Sequence, residues 1–490
     1  MEKIKKTYRF LLLLFPAVLY FSYFPVIALG KDATMNFELS IPLIWLVLFD
    51  IIALILMSLR KKLVLFVQKW IYLLFPVFAS LSILWSSNVL RGVLTAGIMW
   101  ALYIAVFAIV ALKDEVMNAD FGRKMLKVFL GASVVVCAWC FIQCVLDIVG
   151  VPRECSLLCQ GCVSVMFGFP HPNGFAIEPQ FMGNLLLAPA IITGWLALRL
   201  RPRVKCYAAL FFIFVATLFL TFSRGAIYAF GVGLVFLTVF VLVKNGWGKM
   251  WKRVGVVCGL VILSFALTLN VQGVLAELGP TNDTYRSAVV KVLNHLSLGI
   301  IDLREKVSEA PVDVDTPVAV ASTEVVVSGE VVEVGDDEDS TKEDAVFDGY
   351  VVESTEKRKM MTDHALAVWR SGFKNVMFGV GLGGAGRAMQ EAGLIDNANE
   401  IVQNQYASIL LEMGFMGIIL LVVLLVLIIK LVIKTPINSL LFTLFVAYGV
   451  SLFFFAGLPN ALHIYLMPAI IYVMLENKDR YDTIKVIKNK

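Results

Sequence analysis

The chain is dominated by apolar stretches that are each about as long as a membrane-spanning helix. A helix needs about 20 mostly apolar residues to cross about 30 Å of hydrocarbon, and a soluble protein does not repeat such stretches along its length. Of the 490 residues, 59% are hydrophobic and only 16% are charged. The pattern therefore predicts an all-α polytopic membrane protein. About twelve transmembrane helices are predicted, at residues 10–29, 41–59, 70–85, 92–112, 125–149, 181–198, 207–222, 226–243, 254–271, 407–429, 437–456 and 461–475.

One long polar segment interrupts this pattern between the ninth and tenth predicted spans. It divides the chain into an N-terminal transmembrane bundle (1–277), a loop (278–405), and C-terminal transmembrane helices with a cytoplasmic tail (406–490). Within the loop, residues 311–355 form an insert rich in valine, aspartate and glutamate. The alternating valines favour a hairpin there, whereas the charge favours a flexible insert.

Two short patterns in the loop predict amphipathic helices. In the first, the apolar positions repeat at helical spacing, and Arg286, Lys291 and His295 lie off the apolar stripe. That stripe consists of Tyr285, Val289, Val292, Leu293 and Leu296. The second stripe consists of Leu366, Trp369, Phe373 and Met377. Helices of this kind lie on a membrane surface or cover a cavity.

The basic residues predict the orientation of the spans. Lys and Arg gather in the N-terminal tail, in every second loop and in the C-terminal tail. Because cytoplasmic loops carry the excess of Lys and Arg, both termini are predicted in the cytoplasm and the loop 278–405 outside it. The first apolar run lacks a small-residue cleavage site, so it is predicted to be a retained span rather than a signal peptide. The net charge of +5 is thus a topology signal and does not indicate nucleic-acid binding.

Arg224 is the sharpest signal for a functional site. Together with Arg91 and Arg153 it breaks the charge rule for short outer loops, and it directly follows the bulky apolar run that ends a span. An arginine at the edge of a bilayer is energetically costly and is a candidate functional residue. Its planar fork suits the oxygens of a phosphate group. The alternative is that it extends to lipid headgroups.

Four short stretches then carry a resemblance. They read TFSRGA at 221–226, SILWS at 82–86, GVGLG at 379–383 and NQYASILLEMGFMG at 404–417. In this order, and on these loops, they resemble the O-antigen ligase and O-antigen polymerase superfamily of bacterial envelope enzymes. The acidic insert 311–355 has no counterpart in that family.

The resemblance implies a membrane glycosyltransferase. Its donor would be a glycan on undecaprenyl diphosphate, and its acceptor a sugar hydroxyl of a glycan or lipid at the outer face of the bacterial inner membrane. Clustered cations would neutralise the diphosphate, so no metal or cofactor is required. Arg224 is expected to be one clamp. Arg358 best fits the place of the second clamp, with Arg286 and Arg370 as rivals.

One departure from the family concerns Gln403, which stands where ligases carry a histidine before the motif asparagine. Glutamine cannot take a proton, so it would at most orient a hydroxyl group. This substitution favours a polymerase-like enzyme over a ligase proper. Asn404 and Tyr406 of the same motif are expected to bind the glycan.

Another residue must then activate the acceptor hydroxyl. Glu178 lies at an outer helix mouth, where polymerase-type members resemble it, and is the first candidate for a base or a sugar-binding carboxylate. His364 is the second candidate and His171 the third. For Glu178, the alternative is a charge that complements the start of a helix.

Two other classes of protein remain open. A twelve-span transporter or flippase for lipid-linked glycans would share the predicted topology, although carriers usually place ionisable residues near the midplane of the membrane. A non-catalytic partner in an envelope-assembly complex is the other alternative.

Overall fold

The computed structural model describes residues 1–22, 25–29, 37–116, 118–148, 165–166, 169–176, 178–198, 204–278, 284–297, 356–456 and 461–488. The predicted acidic insert 311–355 and Arg153 lie outside these residues.

The described chain is almost entirely helical. Its helices are α1 (Glu2–Val18), α2 (Ile41–Leu59), α3 (Leu63–Gln68), α4 (Leu74–Ser82), α5 (Val89–Ala111), α6 (Lys113–Val116), α7 (Ala119–Ile148), α8 (Pro179–Leu198), α9 (Val204–Leu220), α10 (Arg224–Asn245), α11 (Trp247–Leu278), α12 (Tyr285–Leu296), α13 (356–370), α14 (Phe373–Phe378), α15 (Ala385–Glu391), α16 (Gln405–Ile433), α17 (Asn438–Ser451) and α18 (Leu462–Lys488). Two antiparallel hairpins pair β1 (Pro25–Leu29) with β2 (Phe37–Ser40), and β3 (Val165–Met166) with β4 (Phe169–Pro170).

The helices have the lengths and compositions of membrane spans. Within the described residues, seven are long and apolar enough to cross a bilayer: α2, α5, α7, α8, α10, α11 and α16. Four shorter apolar stretches, at 70–85, in α9, in α17 and in the first half of α18, accompany them. The chain is therefore an all-α protein suited to a lipid bilayer, as the apolar runs predict.

Two predicted spans differ from the structure. The span predicted at 10–29 is wrong beyond Val18, where α1 ends, and Pro25 begins a strand instead. A proline disfavours helical backbone in the residue before it, and Val26 and Ile27 are β-branched. The span predicted at 70–85 is divided, because 3₁₀ turns flank α4 at both ends.

Helix α8 forms the centre of the bundle. All its residues from Phe181 to Leu198 are buried, and it contacts α7, α9, α10, α17 and α18. Glycine permits close packing against α10, because a Cβ at Gly183 would lie 2.8 Å from the Cβ of Ala226. The first turn of α8 is thereby held against the start of α10.

Helices α12 to α15 cover one end of the bundle, and we call them the cap. One face of α13, formed by Met361, Ala365 and Val368, packs in a hydrophobic cluster with Ala407 and Leu411 of α16. We call the end of the bundle that carries these helices the cap side. The cap is therefore packed onto the starts of the long helices.

Helix α12 buries polar side chains together with apolar ones. The structure buries Ala288, Lys291, Val292, Asn294 and His295, so Lys291 and His295, which lie off the predicted apolar stripe, face the protein, whereas Arg286 is exposed. In an amphipathic helix on the surface of a protein, the apolar stripe usually faces the protein interior. Here Ala288 and Val292 pack with Phe222 in a hydrophobic cluster, and Lys291 and His295 are buried beside them.

The end opposite the cap is held by basic residues. Arg60 Nε lies 2.7 Å from Glu115 Oε2, Arg9 Nε donates to the Val116 carbonyl at 2.8 Å, and Lys113 Nζ donates to the Tyr472 hydroxyl at 2.6 Å. These contacts join the loops in which the sequence predicts a cytoplasmic excess of positive charge.

Candidate functional site

The corner between α9 and α10 places Arg224 at the first position of a long helix. Phe222 has a φ of 47°, which is unusual for a bulky residue and turns the chain sharply. Ser223 caps α10 by accepting a hydrogen bond from the Ala226 N–H. A cation at a helix N-terminus is opposed by the helix dipole. Arg224 therefore sits where a bound anion would be favoured both by the guanidinium and by the N–H groups of the first turn.

His295 of α12 holds this corner. Its Nε2 lies 3.2 Å from the Phe222 carbonyl oxygen, and because a carbonyl only accepts, Nε2 is the nitrogen that carries the proton. The next residue, Leu296, accepts a hydrogen bond of 2.6 Å from the Tyr228 hydroxyl. These two bonds attach α12 to the first turns of α10.

Two arginines from distant parts of the chain act on His295. Burial, followed by the positive charges of Arg224 and Arg358, lowers the pKa of His295 to about 4, and the hydrogen bond to Phe222 acts in the opposite direction. Both guanidinium groups therefore lie within electrostatic range of one imidazole, which is neutral at pH 7.

Arg358 is fixed by the start of α8. Its guanidinium donates to Gln180 Oε1 at 3.2 Å, and Gln180 Nε2 donates to the Phe454 carbonyl at 2.6 Å. A Cβ at Gly225 would lie 2.7 Å from the Phe454 Cβ. Phe454 therefore contacts both Gln180, the partner of Arg358, and Gly225, the neighbour of Arg224.

Glu178 completes the site. Its side chain is accessible to solvent, and the protein packed around it raises the pKa of its carboxyl, while the attraction of Arg358 acts in the opposite direction and is weaker. We call the set Arg224, Arg358, Glu178, Gln180 and His295 the arginine site. It combines two cations, a carboxyl group and a neutral imidazole.

Two further polar residues lie behind the arginine site. The His171 ring is 4.9 Å from the Phe222 ring and 6.3 Å from the His295 ring. Burial, followed by the charge of His295, lowers the pKa of His171 to about 3. Lys291 is buried one helical turn before His295. Sequence reasoning missed His295 and Lys291 as site residues, although their i, i+4 spacing places them on one side of α12.

The rival arginines lie elsewhere on the cap. Arg286 is exposed and, nine residues before His295, projects from the opposite side of α12. Arg370 is exposed at the far end of α13, with its guanidinium carbon 6.0 Å from the Trp369 ring centroid; the helical rise puts it about 18 Å from Arg358. His364 is half-buried on α13. Arg358 is the candidate second clamp that lies, like Arg224, within electrostatic range of His295.

The residues of the 404–417 motif that were expected to bind glycan make contacts within the chain. Asn404 caps α16 by accepting the N–H groups of Tyr406 and Ala407. The Tyr406 hydroxyl donates to the Gly449 carbonyl at 2.8 Å. Gln403, the residue before Asn404, is exposed. Asn404 thus caps α16 and Tyr406 attaches it to the end of α17, and their role in glycan binding stays a prediction.

The glycine turn at 379–383 packs against a break in α16. The helix is kinked at Gly414, whose φ is 61°, and the kink releases carbonyl groups from the helical ladder. The Gly381 N–H donates to one of them, the Glu412 carbonyl, at 2.9 Å. The turn can follow this path because its alternating glycines adopt positive φ. They are Gly379 (74°), Gly381 (94°) and Gly383 (78°).

Glu412 joins this turn to the start of α5. Its carboxylate accepts the N–H groups of Gly383 and Ala385 and lies within electrostatic range of Arg91. Ser82 Oγ accepts a backbone N–H of the turn at 3.1 Å. Three of the four stretches that carry the resemblance therefore meet in one assembly, and the charge of Arg91 faces an acidic partner.

Among the described residues, no group of three or more His, Cys, Asp or Glu side chains is arranged to hold a metal ion. No family model, curated protein or solved structure matches the chain. The geometry of the arginine site is therefore the basis for assigning a function.

Proposed function

We propose that the protein is a membrane glycosyltransferase that takes a glycan from a polyprenyl diphosphate and transfers it to a sugar hydroxyl. The observation that supports this best is the meeting of Arg224 and Arg358 at His295, beside the carboxyl of Glu178. Two guanidinium groups next to a helix N-terminus form a site for a diphosphate at the ends of apolar helices. The proposed donor, undecaprenyl diphosphate, has a lipid tail that reaches such a site from the bilayer.

The site residues divide the reaction between them. The bond from the sugar carbon to the phosphate oxygen breaks, and its electrons move to the diphosphate, whose growing charge Arg224 and Arg358 neutralise. The acceptor oxygen forms the new bond to the same carbon. Glu178 takes the hydroxyl proton, because its raised pKa lies closer to neutral pH than that of an ordinary carboxylate. Gln403 orients the acceptor if it reaches the site.

Polymerase-like transfer is favoured over ligation. Gln403 replaces the histidine that the resembling ligases carry, and the arginine site contains a different candidate base in Glu178. In this reading the acceptor is another lipid-linked glycan, and the site lies on the outer face of the bacterial inner membrane. A ligase would instead transfer a finished glycan to a lipid acceptor.

One observation favours a transporter as the second candidate. Asp50 is buried at the middle of α2, close enough to Tyr8 for electrostatic interaction. In the described part of the chain, Asp50 Oδ1 has no hydrogen-bond partner. Intramembrane acids are common on the substrate or ion pathways of carriers.

Lipid-linked glycan analysis in a deletion strain tests the proposal. The strain is complemented with the wild type, Arg224→Ala, Arg358→Ala or Asp50→Asn. We expect both arginine variants to lose product, with unused lipid-linked glycan accumulating on the outer face and single repeats retained. Lys359→Ala, which removes an exposed cation next to Arg358, is the matched control and should behave as wild type.

The other outcomes identify the alternatives. Intact polymer retained on its carrier lipid would indicate a ligase. Substrate trapped on the inner face, most strongly in Asp50→Asn, would indicate a transporter and overturn the proposal.

A further inference from the structure

The cap contains a cavity that is separate from the arginine site. Its volume is about 480 Å³, and it lies between the end of α13, α14, α15 and the turn that precedes α5. Val368, Val380 and Leu394 line its apolar part, and Trp85 forms one wall. This volume is in the range of small-molecule sites.

The polar edge of the cavity is held in place by its own hydrogen bonds. Asn375 Nδ2 donates to the Val368 carbonyl at 3.3 Å and to Ser371 Oγ at 3.0 Å, and Ser371 Oγ donates to the same carbonyl at 2.7 Å. Both amide hydrogens of Asn375 are therefore used, and the orientation of its acceptor oxygen Oδ1 is set. Such a prepared acceptor costs little ordering when a hydroxyl group binds.

The lining suits a sugar better than a phosphate or a lipid chain. A sugar ring has an apolar C–H face, which fits an indole and an aliphatic wall, and a rim of hydroxyl groups, which fits amide, hydroxyl and charged side chains. The rim is lined by one cation, Lys374, and one anion, Glu391, whose carboxylate is paired with Arg387, so the lining itself carries no net positive charge. An acyl chain would leave the polar edge without partners.

Helix α13 connects this cavity to the arginine site. Arg358 lies in its first turn, and Val368 and Ser371 lie at its other end, which places the cavity about 15–20 Å away along the helix axis. A glycan held by its diphosphate at Arg358 would therefore reach the cavity only with a sugar several units from the phosphate.

We propose that the cavity beside Trp85 and Asn375 binds a sugar unit of an oligosaccharide whose reacting end occupies the arginine site. The proposal rests on the proposed function for the identity of its ligand. It adds that the protein recognises a glycan of several sugars, with α13 setting the spacing between the two contacts.

Binding of a glycan without its lipid diphosphate tests this site by itself. The probe is the oligosaccharide released by mild acid from the lipid-linked pool of the deletion strain. Saturation-transfer difference NMR measures its binding to the full chain in nanodiscs. We expect Trp85→Ala and Asn375→Ala each to weaken binding about tenfold or more, as for central contacts of a binding site. Trp85→Phe, which keeps an aromatic face, should lose less.

Two variants serve as controls. Phe373→Ala removes an exposed aromatic ring of α14 that does not line the cavity, and it should bind the oligosaccharide as wild type does. Arg224→Ala should also bind the released oligosaccharide normally while losing transfer. Thermal unfolding of each variant identifies any that fail to fold, and Asn375→Ala keeps the test valid if Trp85→Ala unfolds.

The two proposals fail in different ways. If the wild type does not bind the oligosaccharide, or binds it equally in Trp85→Ala and Asn375→Ala, the sugar site is overturned. If the oligosaccharide binds as expected but Arg224→Ala still transfers glycan, the sugar site stands and the proposed function is wrong.

Discussion

At the scale of single residues, His295 is a contact that joins α12 to the corner carrying Arg224. Its Nε2 is bonded to the Phe222 carbonyl, at a residue with left-handed backbone, so the imidazole also supports the sharp corner that presents Arg224. Sequence reasoning found Arg224 because a cation at the end of an apolar run is costly, and it found Arg358 only through the family resemblance. It passed over His295, because a lone histidine on an amphipathic helix does not reveal which side of that helix is buried.

The histidines predict an acid-sensitive fold. The pKa of His295 is lowered to about 4 and that of His171 to about 3, whereas unfolded histidines titrate near 6.5. Between these values the unfolded chain binds more protons than the folded chain, so stability is complete above about pH 6.5 and falls as the pH drops below it. Thermal unfolding in detergent from pH 7.5 to 4.5 should show this decline. His295→Gln should flatten it and His171→Gln/His295→Gln should flatten it further; unchanged slopes would contradict the assignment.

Glu178 should determine the pH dependence of transfer. If it is the base, activity rises as the pH increases through its raised pKa, and Glu178→Gln should lower the rate by about 10²–10⁴-fold with donor binding retained. Initial rates across pH, together with donor binding at saturation, measure both effects. A Glu178→Gln variant with normal rate and normal pH profile would exclude this role.

At the scale of elements, the apolar pattern predicts where the helices lie better than it predicts the kinks within them. Residues 407–429 were predicted as one span, and α16 does cover them. The kink at Gly414 was not predicted, because a glycine in a long apolar run looks like any other position in the span. The kink depends on hydrogen bonds from the turn at 379–383 to the carbonyl groups that the kink releases. Sequence periodicity does not detect such contacts between distant segments. The inward polar side of α12 escaped prediction for the same reason.

This packing predicts unequal effects for two glycines with similar backbone. Gly381 and Gly393 both have positive φ, but a Cβ at Gly381 would lie 2.6 Å from the Ser86 backbone, whereas Gly393 has open space. Gly393→Ala should cost only the left-handed strain of about 1–2 kcal/mol. Gly381→Ala should cost clearly more, since the turn must move away from Ser86. Urea or thermal unfolding compares the two, and equal losses would show that the turn is not closely packed in solution.

At the scale of the whole molecule, two observations agree on an orientation. The contacts of Arg60 with Glu115 and of Lys113 with Tyr472 gather basic loops at the end opposite the cap. The arginine site and the cavity both lie on the cap side. Positive-inside logic therefore predicts that the cap lies outside the cytoplasm. The number of spans is harder to predict, because α1 ends at Val18 within the apolar run 10–29 and 3₁₀ turns flank α4 within 70–85.

Labelling with a membrane-impermeant maleimide tests the orientation. A variant whose only cysteine is Cys206 carries it, exposed, at the start of α9, about 24 Å along the helix from the corner at Arg224. A cysteine-free chain with Phe373→Cys carries one on the exposed surface of the cap. We expect intact spheroplasts to label position 373 at once and Cys206 only after permeabilisation. The reverse result would put the arginine site on the cytoplasmic side, where it could not reach a glycan that has crossed to the outer face. Glycan transfer on the outer face would then be excluded as the function of this chain.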